Sequence, residues 1–130
     1  YCGRGHTAGD IVAWLPKHKI LFAGDLVEAA AALYTGDAFH FDWATKTLDK
    51  VKSYGAEILV GGRGGVARGT QEVDAAVEQT RGFLNGMIEQ VGKVHLIGWL
   101  ISLLTSVMDV LKFIELNLMY LLPNGGYLLV

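Results

Sequence analysis

The sequence predicts a layered α/β fold, in which helices pack on a β-sheet, with an additional apolar helix towards the C-terminus. Short apolar runs bounded by glycine, proline or charged residues lie at residues 11–15, 20–23 and 57–60, as expected for buried strands. Apolar residues at helical spacing separate the last two runs and also follow the third. The resulting order of strand, strand, helix, strand and helix is typical of an α/β layered domain.

The first two runs predict two adjacent strands joined by a tight turn. Residues 11–15 are closed by Pro16, and residues 20–23 end at Gly24 after a Lys-His-Lys turn. Their β-branched and aromatic content leads us to expect both strands to be buried. Residues 26–42 lack a clean period and predict a loop or a short helix.

The remaining elements have recognisable ends. Asp42 is a candidate N-cap for a helix that Gly55 ends, and its apolar spacing is carried by Trp43, Thr47, Leu48 and Val51. The third strand closes in the glycine-rich turn 61–65. Thr70 then begins a long helix, whose predicted buried stripe comprises Val73, Ala76, Val77, Thr80, Leu84, Met87, Ile88 and Val91.

Composition divides the chain into two regions. Of the 24 charged residues, 21 lie in residues 1–93, and residues 94–130 contain only Asp109, Lys112 and Glu115. We therefore predict one domain over residues 1–93 and an apolar helical tail over residues 94–130. The net charge of -2, with both signs interspersed, argues against a nucleic-acid surface. The single cysteine, Cys2, excludes an intrachain disulfide and a thiolate zinc cage.

The tail predicts a helix over residues 94–122 with one narrow polar stripe, since its polar exceptions recur every three or four residues: His95, Gly98, Ser102, Thr105, Asp109, Lys112 and Glu115. Three explanations stay open for it. It is a membrane-surface or bundle helix, an interaction helix, or sequence foreign to the domain after a shift of reading frame. The uncharged stretch of residues 96–108 is shorter than the roughly 20 residues a membrane span needs.

Two residues are candidate metal ligands. His6 lies in a glycine-bounded loop before the first strand, and Asp25 directly follows the second. If these strands are neighbours, both side chains meet at one edge of the sheet. Imidazole and carboxylate together suit Zn²⁺, Fe²⁺ or Mn²⁺. Each residue also has an ordinary interpretation, because a loop histidine and a Gly-Asp turn need no metal.

The motifs Gly-His-Thr-Ala-Gly-Asp, Leu-Phe-Ala-Gly-Asp-Leu-Val and Leu-Val-Gly-Gly-Arg-Gly together resemble the second half of the metallo-β-lactamase superfamily. The likeness covers about residues 3 to 92, and within the superfamily it is greatest to glyoxalase II-like enzymes and to zinc hydrolases associated with quinoprotein systems. The resemblance implies half of a four-layer αββα sandwich. It also implies a hydrolase that uses a metal-activated water on a small-molecule ester, thioester, lactam or phosphoester.

By this resemblance, His6 matches the third histidine ligand of the first metal, and Asp25 matches the aspartate that bridges two metals. The cofactor implied is zinc, as one or two ions, with iron or manganese as alternatives. The family's His-x-His-x-Asp-His cluster does not occur in this chain. We expect it upstream of Tyr1, so that this chain is a fragment that is inactive alone.

Gly62-Arg63-Gly64 stands where many members have Gly-His-Gly. Arginine stays protonated and does not ligate a metal. Arg63 is therefore a candidate to bind a substrate carboxylate or phosphate, or else a solvated turn residue, and His40 is a second candidate substrate contact. The alternative function is a non-enzymatic module that binds a membrane or a partner through the tail. The compartment, cytoplasmic or periplasmic, stays open because the sequence from Tyr1 has no secretory signal pattern.

Overall fold

The computed structural model describes residues 1–121. It divides the chain into two compact units, Tyr1–Gln90 and Val91–Val130. The part of the predicted tail helix beyond residue 121 lies outside the described residues. The prediction that residues 1–93 form the enzyme domain and that residues 94–130 are a tail added to it stays a prediction.

A four-stranded sheet organises the first unit. Its strands are β1 (Ala13–Leu15), β2 (Ile20–Gly24), β3 (Ile58–Gly61) and β4 (Ala67–Arg68). They lie in the order β1-β2-β3-β4, with β2 parallel to β3 and the outer pairs antiparallel. The two parallel strands are joined through helical residues, which is the βαβ arrangement of a mixed α/β fold. The predicted fold class is confirmed.

The β1–β2 hairpin confirms the predicted pair of adjacent strands, with Trp14 opposite Leu21. The prediction that both strands are buried is wrong for β1. Leu15 is 42% exposed, whereas Leu21 in β2 is fully buried. β1 pairs on one side only, as the first strand of the sheet. The apolar composition of a strand does not reveal whether it lies at an edge or in the middle.

Three short helical segments connect β2 to β3. They are α1 (His40–Asp42), a π-helical turn (Trp43–Thr47) and α2 (Leu48–Lys52). The prediction of Asp42 as an N-cap is wrong, because its backbone is already helical and its side chain makes no capping bond. Its carboxylate instead pairs with Lys46 at 2.8 Å.

The last helix, α3, spans Thr70–Leu121 as one element where the sequence predicts two. Within the first unit, its predicted stripe is buried from Val73 to Leu84 and ends before Val91, which is 67% exposed. The side chain of Arg81 ties the buried part to the π-helical turn, since it donates to the carbonyl of Ala44 and forms an ion pair with Asp49 at 2.7 Å. The core gathers residues from the sheet, the turn and α3: Leu21, Leu26, Val27, Trp43, Leu48, Val51, Leu59, Val77 and Leu84.

The C-terminal part of α3 exposes many large apolar side chains, including Trp99, Leu104 and Phe113. Among the described residues, one helical stretch, Thr70–Leu116, is long and apolar enough to cross a membrane by length and composition. The 18-residue window that meets this criterion has a mean hydropathy of 1.8 and is not buried. A core helix of a soluble protein passes the same criterion, so the finding alone does not identify a membrane span.

Candidate metal centre

A closed loop before β1 carries His6. Its ends are held together by the pairing of Gly3 with Asp10, and the amide of Cys2 donates to the carbonyl of Asp10 at 2.9 Å. The hydroxyl of Thr7 donates to the Asp10 carboxylate at 2.7 Å. Thr7 therefore fixes the conformation of the loop through Asp10.

Asp25 is placed where β2 ends and β3 passes beside it. Gly24 turns the chain with a φ of +55°, a conformation that glycine adopts without strain. The backbone of Gly62 then lies directly against Asp25. A Cβ added at Gly62 would overlap the Asp25 carboxylate and lie 2.9 Å from its backbone nitrogen. Glycine at position 62 thus provides the space in which the carboxylate sits.

The structure brings the two predicted ligands together. His6 Nε2 lies 3.9 Å from Asp25 Oδ2, and the two side chains are 18% and 41% exposed. Two ligand bonds of about 2.1 Å each span at most about 4.2 Å. The separation is therefore within the span of one shared ion, and Asp25 is partly exposed to solvent.

Two aromatic rings contact His6. Trp43 meets the imidazole edge to face, with ring centroids 5.8 Å apart, and the Tyr34 ring lies 6.1 Å away. Trp43 is itself fully buried, and its indole N–H donates to the carbonyl of Leu26 at 3.0 Å. Because Leu26 immediately follows Asp25, this bond links Trp43, which packs against His6, to the backbone next to Asp25.

Within residues 1–121, no group of three or more histidine, cysteine, aspartate or glutamate side chains is placed to hold a metal. His6 and Asp25 are therefore a two-member set. Their ligand types, separation and exposure fit a divalent cation such as zinc as part of a larger ligand set.

The other two candidates, His40 and Arg63, have contacts of their own. A ring nitrogen of His40 lies 3.1 Å from the Thr35 carbonyl, so the imidazole braces the loop that carries Tyr34. Arg63 follows Gly62 in the glycine-rich turn, and its side chain is 55% exposed. The substrate-binding roles of His40 and Arg63 stay predictions.

Glu28 was not among the candidate residues predicted from the sequence. It lies three residues after Asp25, and its side chain is fully buried beside Arg63, with Nε of Arg63 3.9 Å from Oε1. The available signal was a glutamate inside the apolar stretch Leu-Val-Glu-Ala-Ala. Charged residues are rarely buried without a partner, so such a residue indicates either a solvent-facing turn or a paired buried charge.

An open, apolar cavity of about 280 Å³ lies between residues 29–30, residues 65–67 and α3. Glu72 and Gln79 are the polar side chains in its lining. Neither His6 nor Asp25 lines it, so this cavity is separate from the candidate metal centre.

The chain resembles known proteins both in sequence and in fold. The family model described as the metallo-β-lactamase superfamily matches residues 2–63. A type 2 metallo-β-lactamase of Bacillus cereus is 40% identical over 70 residues, covering 51% of this chain and 27% of that protein. The corresponding protein of Bacteroides fragilis is 37% identical over 98 residues, covering 72% of this chain and 37% of that protein. The chain thus spans well under half the length of these relatives.

Solved structures agree. The metallo-β-lactamase of Pontibacter korlensis aligns with a TM-score of 0.56 at 31% identity, covering 65% of this chain and 39% of that one. The DIM-1 metallo-β-lactamase aligns with a TM-score of 0.57 at 30% identity, covering 67% and 40%. The range that the family model matches contains the positions of His6 and Asp25. Residues 2–63 thus match the metallo-β-lactamase superfamily in sequence, and the fold of the chain matches that of solved metallo-β-lactamases.

Proposed function

We propose that this chain supplies His6 and Asp25 to the metal centre of a metal-dependent hydrolase. The observation that carries the proposal is the 3.9 Å approach of the His6 imidazole to the Asp25 carboxylate. These are ligand types that zinc uses in proteins, and iron or manganese are the alternatives. The match of residues 2–63 to the metallo-β-lactamase superfamily supports the same assignment.

The chemistry divides between the cation and the residues around it. A bound divalent cation lowers the pKa of water to near 7 and stabilises negative charge on oxygen. The imidazole of His6 would hold one position on the cation, backed by the edge contact with Trp43. A carboxylate has two oxygens, so Asp25 would also be able to contact a second cation. Two protein ligands are fewer than the three of a typical catalytic zinc site, so we expect the chain alone to bind zinc weakly and to be inactive.

The finer assignment is a hydrolase of the glyoxalase II-like branch, acting on a small ester, thioester, lactam or phosphoester. It rests on the motifs around Asp25 and in residues 61–65. The relatives compared above are named type 2 metallo-β-lactamases, so a lactam is one of the substrate classes to test. The test uses this chain joined to a segment that carries the family's His-x-His-x-Asp-His cluster. Hydrolysis of one model compound from each class, measured with this protein, would identify the substrate class.

Zinc titration of the chain tests the proposal directly. Isothermal calorimetry in a nonionic detergent should detect about one weak zinc equivalent for the unaltered chain. His6→Ala and Asp25→Asn should each reduce the affinity by about tenfold or more, because each removes one of two ligands. His18→Ala is the matched control, since His18 lies in the exposed turn between β1 and β2. Equal zinc affinity in the His6→Ala and unaltered chains would refute the proposal.

A second candidate function has its own observation. The exposed apolar side chains of α3 beyond residue 94 favour a module that binds a membrane or a protein partner. This function predicts that the chain needs detergent to stay in solution and takes up no zinc. Zinc uptake that depends on His6 would decide against it as the sole function.

A further inference from the structure

Glu28 is a buried carboxylate without hydrogen bonds. Its side chain has no exposed surface, and neither carboxylate oxygen has a hydrogen-bond partner within residues 1–121. Burial of a carboxylate removes its hydration, and this cost is normally offset by hydrogen bonds or a close counter-charge. Glu28 therefore contributes little to the stability of the fold, and its one partner in the described part of the chain is a neighbouring charge.

That neighbour is Arg63. Its Nε lies 3.9 Å from Glu28 Oε1, too far for a hydrogen bond but close enough for the charges to attract. More than half of the Arg63 side chain is exposed. A guanidinium has five N–H donors in a planar fork, so Arg63 retains donors for a second, incoming partner.

The backbone holds this pair beside Asp25. The residues on either side of Arg63 are glycines packed against the segment that follows β2. Gly62 lies against Asp25, and a Cβ on Gly64 would overlap the carbonyl of Ala29. The main chain of the turn is therefore fixed, and the position of the guanidinium depends on what its side chain contacts.

We propose that Glu28 is a positioning residue that holds the Arg63 guanidinium at the sheet edge where His6 and Asp25 lie, and that Arg63 there binds an oxyanion group, a carboxylate or a phosphate, of the substrate. The substrate role rests on the proposed hydrolase function. The binding of the anion itself requires no metal. A fixed guanidinium binds such groups through paired, charge-assisted hydrogen bonds.

The test uses the full chain in a nonionic detergent with the metals removed by a chelator. The backbone amide resonances of Gly62 and Gly64 are followed by NMR during titration with inorganic phosphate and, separately, with malonate. These two arms distinguish a preference for phosphate from a preference for carboxylate. Glu28→Gln and Arg63→Lys should each weaken binding of the preferred anion by about tenfold or more. The controls Glu57→Gln and Arg68→Lys, which change exposed residues, should leave it within about twofold.

The results distinguish a positioning role of Glu28 from a purely neutralising or a purely structural role. If Glu28 only neutralised Arg63, Glu28→Gln would bind the anion more tightly, and that result overturns the proposal. If Glu28 were a structural residue, its variant would have a lower Tm, whereas we expect the same or a higher Tm. Unchanged binding in both Glu28→Gln and Arg63→Lys also refutes the proposal.

One measurement needs no variant. In the unaltered chain, the Arg63 Nε–H bond should have a higher NMR order parameter than that of Arg68, because attraction to Glu28 restricts its motion. Equal order parameters would overturn the pairing even if Glu28→Gln did not fold. Zinc binding without anion binding would refute this inference alone, and anion binding without zinc binding would refute the metal proposal alone.

Discussion

At the scale of single residues, Gly62 determines whether Asp25 keeps its position. The Asp25 carboxylate occupies the space that any larger side chain at position 62 would take. Gly65, in the same turn, has open space where its Cβ would be. Packing at the candidate site therefore requires glycine at position 62 but not at position 65.

Gly62→Ala should destabilise the first unit by about 1–3 kcal/mol, the usual cost of inserting a methyl group into a packed site. It should also weaken zinc binding, because Asp25 must move. Denaturant unfolding and calorimetry measure the two effects. Gly65→Ala is the matched variant and should change neither. Normal zinc affinity in Gly62→Ala would show that Asp25 is not held as described.

Asp42 gives a pH-dependent prediction. The hydrogen bond from the Lys46 ammonium holds the pKa of the Asp42 carboxyl below its usual range, and the charge of Arg4 adds to this effect. A carboxyl with a lowered folded pKa stabilises the fold above its usual value and loses that contribution as the pH falls through the folded value. The stability difference between the unaltered chain and Asp42→Asn should therefore shrink below about pH 4. A difference that is constant from pH 7 to pH 3 would contradict this.

The sequence predicted the pairing of His6 with Asp25, because the ends of adjacent strands lie at one edge of a sheet. It did not predict Glu28, because burial of a charged residue depends on how the turn at residues 61–65 packs against residues 25–29. That packing is set by glycines whose neighbours are distant in sequence.

At the scale of elements, the hairpin, β3 and the start of α3 were predictable from apolar runs and glycine breaks. β4 was not predictable, because a strand of two residues is too short to show an alternating pattern of apolar and polar residues. The π-helical turn was also missed, because Trp43, Thr47 and Leu48 have almost the same spacing in an α-helix. The lack of burial in β1 follows from the strand order, which local patterns do not contain.

The buried face of α3 provides a prediction at this scale. Leu84 is fully buried, whereas Leu104 is 64% exposed. Leu84→Ala should destabilise the first unit by about 2–5 kcal/mol, the usual cost of a cavity in a core. Leu104→Ala should leave that unfolding transition unchanged. Equal effects of the two substitutions, measured by near-ultraviolet circular dichroism during denaturation, would contradict the division of the chain into two units.

At the scale of the whole molecule, the two units differ in what they expose. The first buries a mixed core from the sheet and helices, while the described part of the second exposes apolar side chains along α3. Apolar surface of this extent is unusual on a soluble monomer. Exposed apolar patches generally mark sites of contact with lipid or with another protein, so contact of the tail with a membrane or a partner stays a prediction.

A variant that ends at residue 93 should therefore fold without detergent. We expect it to keep the near-ultraviolet circular dichroism and the zinc affinity of the full chain and to sediment as a monomer. The full chain should form larger particles unless detergent is present. An unfolded shortened variant would show that the residues after 93 are part of the same cooperative unit.

The edge contact between His6 and Trp43 should also allow metal binding to be followed by tryptophan fluorescence. Trp43 is fully enclosed, whereas Trp99 is 60% exposed, so their fluorescence should peak at different wavelengths. In a chain carrying Trp14→Phe and Trp99→Phe, the emission of Trp43 should be quenched when paramagnetic Co²⁺ occupies the histidine, and His6→Ala should abolish the response. Occupancy of the centre could then be followed in real time without any added dye.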